Sequence, residues 1–192
     1  LSKSFLLRHG HPVIYAVDLG TNTRTAGGYL IELRGKNFGQ NKDILSIFIG
    51  GKPAHLVSNT HFSINILAAE GQGKGQQIAV RVLGEESIAE QTFDYSPPYI
   101  YKAESSYGLT FPTSGKTPNG SAIYILIYGD NFGLGDKTEV YFGEKANNII
   151  VKSMVVEHTL INASVPEGEG LNLTIYVVVA NQTGYSLDYF VN

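Results

Sequence analysis

"YGDNFG", Tyr128 to Gly133, repeats "RGKNFG", Arg34 to Gly39, at a distance of 94 residues. The pair sets the register of an internal repeat, and a repeat governs every later reading of a chain. Upstream, "PVIYAV" at Pro12 returns as "PYIYKA" at Pro98. Downstream, "SIFIGGKPA" matches "EVYFGEKAN", and "SINILAAEGQGKGQQIAVRV" matches "LINASVPEGEGLNLTIYVVV". The offset climbs from 86 at the prolines to 94 and then 97, so the second copy gained most of its extra residues ahead of its "GDNFG". Two domains follow, residues 12–96 and 97–192, joined by the short, stiff Ser96-Pro97-Pro98. The same shift lays the opening residues on the end of the first copy, so residues 1–11 read as the last strand of an earlier repeat. The chain opens on Leu1 and not on Met, which reads as a piece of a longer protein.

Each copy is built for strands. Apolar residues alternate in "YLIELRG" and "IAVRV", glycine, asparagine and proline punctuate them, and no helical period competes. About seven short strands with glycine turns in each copy fit an all-β fold, a tandem of immunoglobulin-like β-sandwiches. The repeated element has its own local physics. A glycine ends the second strand, asparagine accepts a left-handed turn, and Phe38 or Phe132 drops into the end of the sandwich as a plug.

Composition excludes several classes of function. A net charge of −3 leaves no basic face for a nucleic-acid backbone. With no cysteine there is no disulfide framework, thiolate metal site or thiol nucleophile. No run approaches the roughly 18 apolar residues of a membrane span, so any anchor lies in segments outside this sequence.

Taken in order, the motifs resemble the IPT/TIG domain. They are a Pro-led first strand, a glycine turn, strand-Gly-x-Asn-Phe, "V-x-F-G" and a late "N-x-x-x-P-x-G-x-G". The second copy carries them best, in "PTSGKTPNG", "GDNFG", "VYFGE" and "INASVPEGEG". The first keeps Gly27-Gly28, "GKNFG" and "IGGKPA", but has Ala-Ala-Glu where the second has Val-Pro-Glu. The resemblance implies one of three settings: tandem arrays in cell-surface ectodomains, the dimerisation half of Rel-type transcription factors, or accessory binding domains of secreted polysaccharide-active enzymes. Tandem copies and acidic charge favour the first, and the style of sequence is similar to the tiger-type recognition proteins of social amoebae. The expectation is a non-catalytic, extracellular adhesion or recognition module. Its partner would be a protein on another cell or a second copy of itself.

Little in the sequence points to chemistry. "TSGKT" satisfies the second half of a phosphate-binding loop, but Thr110 stands where the first glycine belongs and a strand follows instead of a helix. Here the resemblance assigns Gly115 to a turn between the first two strands. The His9-x-His11 pair lacks a third ligand nearby. Asp130, Asp136 and Glu139 do not have the spacing of a calcium loop. No catalytic residue, cofactor site or metal site is assigned.

Two features remain. Four N-x-[ST] sequons, at Asn119, Asn162, Asn172 and Asn181, all fall in the second copy, where about two would arise by chance in the whole chain. They predict a glycoprotein, with Asn119 the weakest because its glycine turn is tight. The other feature is the second strand. Alternation points Tyr29, Ile31 and Leu33 inward in the first copy and leaves Leu30, Glu32 and Arg34 outside. In the second copy Ile123, Ile125 and Ile127 point inward and Tyr124, Leu126 and Tyr128 outward. On the next-to-last strand Ala79 and Arg81 answer to Tyr176 and Val178, on a face that a glycan at Asn172 would shield. An apolar, aromatic outer face where its twin is charged predicts a partner-binding surface at Tyr124, Leu126 and Tyr128.

Overall fold

The computed structural model describes residues 9–108, 110–143, 149–150, 154–169 and 173–185. The reading of residues 1–11 as a strand falls largely on residues 1–8, outside the described residues. In the first unit the alternating stretches become β1 (Val13–Asp18), β2 (Leu30–Lys36), β3 (Leu45–Ile49), β4 (Lys52–Pro53), β5 (His55–Asn59), β6 (Ser63–Leu67), β7 (Ile78–Val82) and β8 (Glu85–Ile88). A single 3-10 turn, Lys42–Ile44, precedes β3 and is capped by the side chain of Asn41. The strands form two antiparallel sheets, β1-β2-β6-β5 and β4-β3-β7-β8.

The second unit repeats the plan. Its strands are β9 (Tyr99–Glu104), β10 (Tyr124–Asp130), β11 (Thr138–Phe142), β12 (Ile149–Ile150), β13 (Met154–Val156), β14 (Leu160–Ser164), β15 (Ile175–Val179) and β16 (Gln182–Tyr185). Their sheets run β9-β10-β14-β13 and β12-β11-β15-β16. Strand for strand this is the order of the first unit, so the repeat in sequence is a repeat in topology. The units part between Asp94 and Tyr95, except that Arg24–Ala26 and Glu70–Lys74 belong with the second. Among the described residues no helix is long and apolar enough to cross a membrane.

Each unit has its own core, set by alternation. In the first, Ile31, Leu33, Ile64 and Ile66 are buried on one sheet and Ile47, Ile49, Ile78 and Val80 on the other. In the second, the matching positions hold Ile125, Ile127, Ile161 and Ala163, with Val140, Phe142, Val177 and Val179 buried on the other sheet. Each such Ile, Leu, Val or Phe side chain contributes roughly 1.5–3 kcal/mol on burial. Where Ile66 shrinks to Ala163, Ile49 grows to Phe142 within the same cluster, which keeps the core filled.

The "G-x-N-F-G" element behaves as expected in two of its parts and differently in the third. Phe38 and Phe132 are fully buried. Asn37 and Asn131 both take φ 63°, the left-handed turn. The glycines, however, do not end their strands. Gly35 lies inside β2 and Gly129 inside β10, and neither has a positive φ. Their role is room. A Cβ on Gly35 would collide with Val13 O and the Phe38 ring, and one on Gly129 with Tyr99 O and the Phe132 ring. The plug and its glycine are one device, three residues apart.

Candidate binding surface on the second unit

The outer face of the sheet β9-β10-β14-β13 carries the side chains singled out from the sequence. Along β10 the burial alternates, with Ile125 and Ile127 buried, Tyr124 exposed, and Leu126 and Tyr128 half-buried. Register places Leu126 between Glu104 of β9 and Asn162 of β14, and Tyr128 between Lys102 and Leu160. The structure thus brings Tyr124, Leu126 and Tyr128 onto one face.

Their neighbours on β9 add what alternation did not reveal. An extra residue, Tyr101, bulges out between the pairs Tyr128–Lys102 and Gly129–Ile100. The bulge resets the parity of the strand, so Lys102 and Glu104 join the outer face beside Tyr99 and Tyr101. The Tyr128 hydroxyl donates to Glu104 Oε1 at 2.9 Å, which lays the ring across the seam between β10 and β9. Lys102 pairs with Glu104 and holds its Nζ 5.7 Å from the centre of the Tyr128 ring. Tyr101 donates to the Asp130 carboxylate, and its ring meets Tyr99 edge-on at 5.1 Å. Tyr99, Tyr101 and Tyr124 are 39%, 51% and 51% exposed, which makes this a tyrosine surface with its carboxylates already engaged.

The electrostatics follow from those bonds. Lys102 first, then the Tyr128 hydroxyl, holds the Glu104 carboxyl below its ordinary value. The same carboxylate raises both Tyr128 and Lys102, chiefly through the hydrogen bond it makes with each.

Among the described residues, the matching face of the first unit is charged along its second strand. Leu30 is exposed, but Glu32 and Arg34 form an ion pair at 2.7 Å, which raises the Arg34 guanidinium. Its bulge is equivalent, at Tyr15, and Lys36 lies 5.8 Å from the centre of that ring. On the other sheet Arg81 pairs with Glu86 and covers Phe48, while Tyr176 and Val178 of the second unit are half-buried.

The sequons scatter. Asn119 is exposed in the turn closed by the Lys116–Ala122 bridge, where its Oδ1 accepts from the Thr117 hydroxyl. Asn162 stands in the middle of β14 and Asn181 is exposed in the turn between β15 and β16, at φ 65°. Asn172 lies outside the described residues. Beside Asn181 is a polar surface hollow of about 440 Å³, lined in part by Asp136, Lys137 and Glu139.

Other sequence candidates are placed apart. "TSGKT" is a turn followed by β10, with Gly115 at φ 63° and packed so that a Cβ would collide with Val165 O. His11 Nδ1 lies 3.0 Å from Glu85 Oε2, while His9 is exposed nearby without that carboxylate. Asp130, Asp136 and Glu139 bond to Tyr101, Gln72 and Tyr141 respectively. Among the described residues no three His, Asp or Glu side chains gather as a metal site would require.

Comparison with known proteins bears on the fold. No curated protein sequence matches the chain significantly. The surface glycan-binding protein PbSGBP-B from Prevotella bryantii superposes with a TM-score of 0.56 at 16% identity, over 94% of this chain and 42% of that one. The extracellular region of plexin A4 gives a TM-score of 0.41 at 16% identity, over 92% and 17%. An auxiliary nutrient binding protein from Bacteroides ovatus gives 0.39 at 17% identity, over 88% and 43%. The chain therefore spans less than half the length of each. The model of the IPT/TIG domain matches residues 12–96 and again residues 109–191, and the chain belongs to that family.

Proposed function

We propose that the chain is a non-catalytic binding module of an extracellular, cell-surface protein, and that it meets a protein partner through the outer face of β9, β10 and β14. One observation carries the reading. Tyr99, Tyr101 and Tyr124 are exposed beside Leu126 and Tyr128, where the first unit has the Glu32–Arg34 ion pair. Tyrosine gives a large amphipathic contact area at little cost in rotamer freedom, and it is enriched among the residues that dominate protein interfaces. The shared fold with a surface glycan-binding protein fits an extracellular setting. Cell–cell adhesion or allorecognition is the finer form of the proposal, with a second copy of the chain or a protein on another cell as partner.

A second reading has its own support: exposed tyrosines beside carboxylates fixed by hydrogen bonds also suit an oligosaccharide. One experiment separates the two. Beads coated with the chain are scored for aggregation, and the soluble chain is applied to an array of polysaccharides. The double variant Tyr124→Ser/Tyr128→Ser is tested alongside, with its melting temperature. Aggregation lost by a variant that stays folded supports the protein contact. Unchanged aggregation by the folded variant removes this face from consideration, and array binding that the variant loses replaces protein by carbohydrate.

A further inference from the structure

Asn162 occupies the middle of the tyrosine face, and the matching residue in the first unit reveals what is unusual about it. That match is Asn65, on β6. Register puts Asn65 between Glu32 of β2 and Ser58 of β5, and its Nδ2 donates to Ser58 Oγ at 3.1 Å. There the asparagine has a structural task, a hydrogen bond across the sheet. In the second unit register puts Asn162 between Leu126 of β10 and Val155 of β13. Valine offers no hydroxyl, and Asn162 Oδ1 is buried without a hydrogen-bond partner. Asparagine is also a poor choice for a strand, and an unbonded buried carbonyl is costly. Nothing in the packing asks for the residue. A second change coincides with the first: the position two residues on, Leu67 in the first unit, is Ser164 in the second, and it completes the sequon Asn162-Ala163-Ser164.

We propose that Asn162 carries an N-linked glycan that covers the tyrosine face, so that its occupancy sets whether the face is open to a partner. The second half rests on the reading of this face as the contact surface. Directly opposed side chains on paired strands lie about 5 Å apart, and diagonal ones about 7–8 Å. A sugar on Asn162 therefore begins beside Leu126, with Tyr124 and Tyr128 diagonal to it on β10. An N-linked glycan is bulky, and its first sugars already span those distances.

The chain is secreted from a eukaryotic host as wild type and as Ser164→Ala, which removes the sequon and keeps Asn162. Asn162→Gln serves as a second variant should Ser164→Ala fold poorly. Glycopeptide masses read occupancy, and hydroxyl-radical oxidation reads the exposure of Tyr124, with Tyr15 of the first unit as internal reference. The expected result is an occupied Asn162 and Tyr124 oxidation that rises severalfold in Ser164→Ala or after glycosidase treatment, with Tyr15 unchanged. An unoccupied Asn162, or equal Tyr124 oxidation with and without the glycan, overturns the proposal. The gating is read by aggregation of beads coated with each form, which strengthens when the glycan is absent. Tyr124 protected by the glycan, with bead aggregation indifferent to it, overturns the contact reading and the gating together and leaves the glycan as a shield alone.

Discussion

Glycine shows most clearly how single residues hold these sandwiches together, because neighbouring glycines serve different ends. Gly27 and Gly28 both have positive φ, as do Gly115 and Gly120 in the second unit. Around Gly28 and Gly120 there is open space, so only the backbone angle requires glycine. A Cβ on Gly27 would press on the Ala68–Ala69 backbone, and one on Gly115 on Val165 and Pro166. Alanine at Gly28 or Gly120 should therefore cost about 1–2 kcal/mol, the penalty of left-handed backbone. At Gly27 or Gly115 the backbone collision adds to that penalty. Chemical denaturation of the four single variants checks the order, and equal losses at Gly115 and Gly120 would refute the packing argument. Phe132→Ala belongs to the same scale, with an expected loss of about 3–5 kcal/mol for an emptied plug. The left-handed asparagine and the buried phenylalanine were legible in "GDNFG". The reason for its first glycine was not, because room for a ring three residues away is a property of packing and leaves no local pattern.

Among the elements, β10 and β9 differ in how much the sequence revealed of them. Strict alternation on β10 predicted which side chains face outward, and Tyr124, Leu126 and Tyr128 lie on that face. On β9 the bulge at Tyr101 breaks the period, so counting by twos assigns Lys102 and Glu104 to the wrong side. The carboxylate that ties the face together was invisible for that reason. Its titration tests the arrangement. Glu104 is held below its ordinary 4.5, so the link stabilises the fold above that value and is lost as pH falls through the lower, folded one. Tyr128 and Lys102 are raised, so their share is full below their ordinary 10.0 and 10.5 and is lost as pH climbs through the folded values. The link therefore holds between those limits. Lys102 is exposed and Glu104 and Tyr128 are only half-buried, so solvent screens the link, the effect on stability is small and the titration itself is the better probe. In Tyr128→Phe the Glu104 carboxyl, followed by nuclear magnetic resonance, should titrate at a higher pH than in the wild type while staying below 4.5 through Lys102. An unshifted titration would mean that the hydroxyl does not reach Glu104.

At the scale of the whole molecule the sequence was most informative, since a motif written twice dictates two units of the same topology. It was least informative about where one unit gives way to the next. The proline pair places the junction at Ser96-Pro97-Pro98, yet residues before it are tied to the second unit. Gln182 on β16 is 5% exposed, and its Nε2 donates to Tyr95 O at 2.9 Å. Tyr95 is itself 3% exposed, and burial first, then the charge of Glu70, pushes its hydroxyl up to about 12. The first unit has a counterpart, since Glu85 of β8 reaches back to His11 ahead of β1. In both copies the last hairpin binds the segment that leads into the first strand, through different chemistry that no motif announces. A fragment cut at the prolines, residues 97–192, loses the acceptor of Gln182 and leaves a buried amide unpaired, at a cost of about 1–3 kcal/mol. A fragment of residues 94–192 keeps Tyr95 and that bond. Both should fold, because the second core is complete within residues 100–179. The longer one should unfold at higher denaturant with a similar slope, since m follows the surface exposed. Replacing Gln182 by Ala should narrow the difference between the two fragments, because the amide that needed Tyr95 is gone. Equal midpoints for the two fragments with Gln182 in place would show that the proline pair, and not Tyr95, is where the second unit begins.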